Sequence, residues 1–133
     1  MAVDKNKSLY VFKSTGWDSA TERKLKSVKI PLGNKISGLA AFRNSRIFVK
    51  NIEECYDLDI DYDFVYKDQY ESKSFVSLPI FGHNRVVAVL NLTDKTNGEY
   101  SRGELEILNI ITMLCSKIFE LLQIKKKNKL INS

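Results

Sequence analysis

Short apolar runs rich in β-branched and aromatic residues punctuate the first ninety residues. They predict strands at Ser8–Phe12, Val28–Gly33, Ile47–Val49, Ser74–Phe81 and Val86–Leu92. The turn Gly82-His83-Asn84-Arg85 makes the last two antiparallel neighbours, and apolar residues of both parities in Val86–Leu92 predict cover on both faces of that strand. Ser8–Phe12 follows the polar turn Asp4-Lys5-Asn6-Lys7 and reads as the second arm of a hairpin. Its first arm would lie before Val3, where Met1 and Ala2 stand, so the domain is expected to begin late. Thr15–Leu25 is polar and reads as a linker, whereas Ile36–Phe42 predicts a short helix.

Beyond Gly98 the hydrophobic period changes. Ser101 and Glu104 form an S-x-x-E capping box, and from Leu105 to Ile124 apolar residues return every three or four positions. Two seams result. One passes through Leu108, Ile111, Cys115, Ile118 and Leu122, and the other through Ile107, Ile110, Leu114, Leu121 and Ile124. One seam suffices to cover a sheet. Leaving the other in water costs about 25 cal/mol per Å², and no second long amphipathic helix exists to cover it. Ile107, Ile110, Leu114, Leu121 and Ile124 are therefore the candidate dimer interface, expected to meet a second copy or flanking chain.

Composition narrows the class. A chain of 133 residues, 44% hydrophobic and 28% charged, fits one globular domain that needs no staples. Cys55 and Cys115 lack partners at metal or redox spacing, which argues against a zinc ribbon or a disulfide framework. No apolar run approaches the ~20 residues of a bilayer span and the start is too polar for a signal peptide, so a cytoplasmic location without membrane attachment is expected. The net charge of +5 divides into +8 over residues 1–50, −7 over 51–71 and +4 over 72–133. Such a basic body could attract nucleic acid, but Lys125, Lys126, Lys127 and Lys129 read as a solvated tail, and nucleic acid is not the expected partner.

The order of these pieces resembles a known family. Ile30-Pro31-Leu32-Gly33, Ile36–Ala41 and Ile47–Ile52 resemble the first half of a GAF domain. Ser74–Ile80, Val86–Lys95 and Gly98–Ser101 leading into the long helix resemble the second half. The resemblance implies an α+β fold, a GAF/PAS-like central antiparallel sheet of about five strands. A long C-terminal helix would lie on one face, and short helices and loops over a pocket on the other. It also implies a domain over residues 1–124 whose first helix and start of the first strand are missing, followed by a basic tail or linker over 125–133.

The family's members are sensors of small molecules or dimerisation modules attached to output domains, and they are rarely catalytic. The expectation is thus a non-catalytic regulatory domain and a homodimer, with a signal passed along the C-terminal helix. The alternatives are a pure dimerisation module with a vestigial pocket and an enzyme like the free methionine sulfoxide reductases. The cyclic-nucleotide signature of the family is matched here only at Lys95, among Asp94-Lys95, Tyr100 and Glu104-Leu105. Bilin attachment needs a Cys beside a His, which Cys55 lacks, and His83 sits in a turn rather than a haem site. Cyclic nucleotide, bilin and haem are all disfavoured, and the ligand is unnamed.

The acidic insert Glu53–Glu71 falls where the family places its pocket cap. Its stretch Asp57–Asp63 has Tyr62 where a calcium loop needs Gly, so no metal site is assigned. Tyr62, Phe64, Tyr66 and Tyr70 could stack on a planar ligand. Ser77 and Asn91 are polar groups inside apolar strands and need hydrogen-bond partners, and Arg43 could meet an anion. These seven are the candidate pocket residues. No nucleophile and base are assembled in the sequence, so no catalytic residue is assigned.

Overall fold

The computed structural model describes residues 1–49, 74–93 and 100–132. Along the chain run β1 (Ala2–Val3), β2 (Ser8–Tyr10), α1 (Ser19–Leu25), β3 (Lys29–Pro31), α2 (Lys35–Arg43), β4 (Ile47–Val49), β5 (Phe75–Gly82), β6 (Arg85–Thr93) and α3 (Arg102–Ile131). The strands form one antiparallel sheet in the order β3-β2-β1-β6-β5-β4. It has six strands rather than about five. The additional one is β1, the first arm of the hairpin, which starts at Ala2 and pairs Ala2 with Tyr10 and Val3 with Leu9.

The β5–β6 hairpin is the longest pairing and turns at His83 and Asn84, both with positive φ, as a two-residue turn matched to strand twist requires. An irregularity between Ile80 and Phe81 shifts the register of β6 by one residue. That shift puts both Val86 and Val89 into one apolar cluster with Leu9, Ile30 and Ala41. The cover expected on both faces of β6 is partial, because Val86 and Val89 are buried while Val87, Ala88, Leu90 and Leu92 are half-buried. A second cluster joins Ile36 and Ala40 of α2 to Ile47 and Val49 of β4. Side-chain alternation therefore gives the odd-numbered residues of β5 to the α2 face and the even-numbered ones to the α3 face.

Thr15–Leu25 is not all linker, since α1 occupies its second half. Asp18 caps it by accepting from the Thr21 N–H at 2.7 Å, and that backbone hydrogen bond holds the Asp18 carboxyl below its usual range. α1 buries no residue, so it has no apolar stripe for a periodicity argument to find.

α3 is longer than its apolar seams. It runs through Lys125–Lys129 to Ile131, so the stretch set aside as a tail continues the helix; lysine is a good helix former and nothing breaks the run. The capping box is complete, with Ser101 N–H donating to Glu104 Oε2 at 2.7 Å and Glu104 N–H donating to Ser101 Oγ at 3.1 Å. Ser101→Ala is expected to cost about 1 kcal/mol, measurable by urea unfolding. α3 also contains an 18-residue window apolar enough, by length and composition alone, to cross a membrane. Length and composition alone show no membrane location, and the helix lies on β5 here.

The face that α3 turns to the sheet is not the seam expected. Thr112 is its one buried residue, and Ser116 Oγ accepts from the Phe81 N–H at 3.0 Å. Ile111, Ile118 and Leu122 of that seam are exposed. The reason is local satisfaction: Thr112 Oγ1 donates back to Leu108 and Asn109 carbonyls, and Ser116 Oγ to Thr112 O. Two small residues that need no outside partner let the helix approach β5 closely. Gly82 helps at the far end of the strand, where an added Cβ would stand 2.8 Å from Phe119 Cδ1.

Candidate functional site

A groove of about 1990 Å³ opens beside β1. β1 is two residues long beside the nine of β6, so the groove reaches both faces of the sheet where β1 stops. On the α2 side it is walled by Ile36, Ser37, Ala41, Phe75 and Val89, and on the α3 side by Cys115, Phe119 and Gln123. Tyr10 at the end of β2, and Phe12 and Trp17 in the segment after it, add aromatic surface.

Ser77 and Asn91 face each other across β5 and β6 on the α2 face, and Ser77 Oγ donates to Asn91 Oδ1 at 2.7 Å. Ser77 is 0% exposed, so its hydroxyl must be satisfied within the fold, and Asn91 does this. Asn91 reaches the groove and Ser77 does not line it. The Ser77 contact uses the Asn91 carbonyl oxygen, which leaves the amide nitrogen as the group able to donate to a bound molecule. Arg43 is exposed at the last turn of α2, where its charge complements the helix dipole, and it does not line the groove. Of the pocket candidates, the structure thus brings Ser77 and Asn91 together and leaves Arg43 apart. Tyr62, Phe64, Tyr66 and Tyr70, with the acidic insert and Cys55, lie outside the described residues.

Two groove features escaped the sequence reading. Ser37 is buried on the wall-forming turn of α2, between Ile36 and Gly38. Gln123 Oε1 is buried on α3 with no hydrogen-bond donor among the described residues, an arrangement that costs about 1–3 kcal/mol unless something supplies one. The signal for Gln123 was present in the chain as polar residues recurring at Asn109, Thr112, Ser116 and Gln123, the spacing of one helix face.

A family model described as GAF domain matches residues 1–120. No curated protein matches the chain. Among solved structures, the GAF domain of an Acinetobacter phosphoenolpyruvate-protein phosphotransferase is 16% identical. It aligns with a TM-score of 0.67 over 95% of this chain and 71% of its own. The fRMsr of Staphylococcus aureus in its reduced form is 18% identical, with a TM-score of 0.66 over 87% of this chain and 66% of its own. The free methionine-R-sulfoxide reductase of Neisseria meningitidis, solved with its substrate, is 19% identical. Its TM-score is 0.56 over 70% of this chain and 52% of its own. The chain therefore spans two thirds or less of the length of these two reductases. These likenesses establish the fold. They also overturn the expectation that the fold speaks against an enzyme, because proteins of this fold include reductases.

Proposed function

The chain belongs to the GAF domain family, and from that membership we propose that it is a sensory and regulatory domain. It binds a small molecule in the groove and passes the change in occupancy through α3 to an attached output domain. The observation that supports this reading is the groove itself, whose apolar walls carry Asn91, Ser37 and Gln123 among the many polar and charged side chains that line it. β5 is the mechanical link. Its odd-numbered residues, Ser77 among them, face the α2 side, where Ser77 holds the groove-lining Asn91, while its Phe81 N–H is tied to Ser116 of α3. A ligand that holds the Ser77–Asn91 pair in one arrangement biases β5, and α3 responds only to the extent that the ligand binds the two arrangements unequally.

The test is native mass spectrometry of freshly purified protein, which is expected to retain a small molecule. Asn91→Ala is expected to weaken its retention roughly tenfold, the effect of losing one hydrogen bond of about 1.4 kcal/mol. Protein that carries nothing, with the groove closed by its own side chains, would leave a dimerisation module as the reading. The likeness to reductases of this fold gives the assay a second arm. Turnover of free methionine-R-sulfoxide by the thiol-reduced protein would make the groove an active site instead.

A further inference from the structure

The first turn of α2 meets the groove without a cap. Just ahead of it, Asn34 N–H donates to Pro31 O at 3.1 Å and Gly33 N–H to Gly38 O at 2.8 Å, so both groups are engaged within the loop. Asn34 is of a type that usually caps a helix, but its side chain makes no capping bond, and the first turn holds no acidic residue. The leading N–H groups of the helix, those of Ile36 and Ser37 among them, therefore lack an acceptor in the cap, and nothing there offsets the positive end of the helix dipole. Lys35, Ile36 and Ser37 all line the groove.

Ser37 is an independent sign of a ligand at this place. It is 6% exposed and lines the groove, and among the described residues its hydroxyl has no hydrogen-bond partner. Thr112 and Ser116 of α3 donate back to carbonyls of the preceding turn, but Ser37 stands in a first turn and has no such turn behind it. Charge then selects the ligand. Lys5, Lys7, Lys13, Lys24, Lys35 and Arg85 line the groove, against Asp4 alone on the acidic side among the described residues. The Asp4 carboxylate is already engaged, accepting from the Asn6 and Ser8 N–H groups at 2.8 and 3.0 Å and lying 3.9 Å from Lys29 Nζ. We propose that the first turn of α2 is an anion subsite, where a carboxylate or phosphate of the ligand accepts from the Ser37 hydroxyl and the leading N–H groups of the helix. The uncharged body of the ligand lies along the apolar wall at Ile36, Ala41 and Val89. The assignment rests on the groove as a ligand site and adds that the ligand is a small organic anion.

The test is a nuclear magnetic resonance titration of the full chain with benzoate, phenyl phosphate and neutral benzamide. Benzoate or phenyl phosphate is expected to move the amide signals of Ile36 and Ser37 and to bind about tenfold more tightly than benzamide. The tighter of the two anions identifies the ligand's group as carboxylate or phosphate. Benzamide binding as tightly as both would overturn the anion subsite and leave the groove a ligand site. Amide signals of Ile36 and Ser37 unmoved by either anion would overturn it too, whereas failure of the groove reading shows separately, as an empty protein in the native mass spectrum. Ser37→Ala is expected to weaken anion binding roughly tenfold. Asn34→Asp offers a carboxylate to the same N–H groups from within the chain, so it is expected to raise the thermal unfolding midpoint and to remove anion binding. An Asn34→Asp protein that binds the anions as the parent does would end the proposal.

Discussion

Replacing Gly38 with valine is expected to destabilise the protein by about 3 kcal/mol and to displace the groove wall that α2 provides. A Cβ at position 38 would stand 2.5 Å from the Pro31 carbonyl oxygen and 3.1 Å from Ile30 Cγ2. The nearer atom is backbone in β3, tied into the sheet by the pairing of Pro31 with Ser8 and Ile30 with Leu9. It cannot swing aside as a side chain would, so α2 must move. Alanine makes the comparison sharper. It brings the same first clash, but it regains up to about 1 kcal/mol of helix propensity over glycine, so its net cost is expected near 2 kcal/mol. Urea unfolding midpoints give both costs, and intact mass spectra of the variants show whether any retained molecule is lost with the wall. Equal stability of Gly38→Ala and the parent would mean that α2 has slack against β3.

Leu78→Ala is expected to lower the unfolding free energy by about 3 kcal/mol, within the range of 2–5 typical of buried leucines. Leu78 is fully buried in β5 on the face that α3 covers, opposite Leu90 of β6. The atoms removed lose their transfer free energy, and the space they leave persists because the helix above is fixed by Ser116 on Phe81 N–H and by the small buried Thr112. Neither residue has the length to fill the void. Thermal and urea unfolding measure the loss. Amide exchange adds a readout of place, with protection expected to fall first in β5 and the middle of α3. A cost below 1 kcal/mol would mean that the helix settles onto the shortened side chain.

Much of the architecture was legible in the chain because it is written in local chemistry. The β5–β6 hairpin, the capping box at Ser101 and Glu104, and the short helix around Ile36–Phe42 each follow from residues adjacent in sequence. The GAF resemblance held over residues 1–120 because the order of those local pieces is itself the family's pattern. α1 went unseen because it is held by its Asp18 cap and buries nothing, leaving no hydrophobic period. β1 was expected only as a hairpin arm cut short before Val3, because two residues cannot show an alternation; its partners on both sides make Ala2–Val3 a strand.

The candidate site was less legible. That Ser77 and Asn91 needed partners could be read from polar side chains in apolar strands, but that each is the other's partner depends on strand register fourteen residues apart. Arg43 and Asn91 are both polar and both near predicted turns or strands, yet one ends on an exposed helix turn and the other beside the groove.

The helix shows the division most plainly. By itself the sequence determined that α3 exists, where it starts, and that it has more apolar surface than one sheet can hide, since period and composition depend only on the order of residues along the chain. Only the tertiary structure decided which stripe of it touches β5. A hydrophobic count favours the greasiest seam, but close approach favours small side chains that satisfy their own hydrogen bonds. Thr112 and Ser116 therefore won the contact, and the isoleucines and leucines were left facing outward.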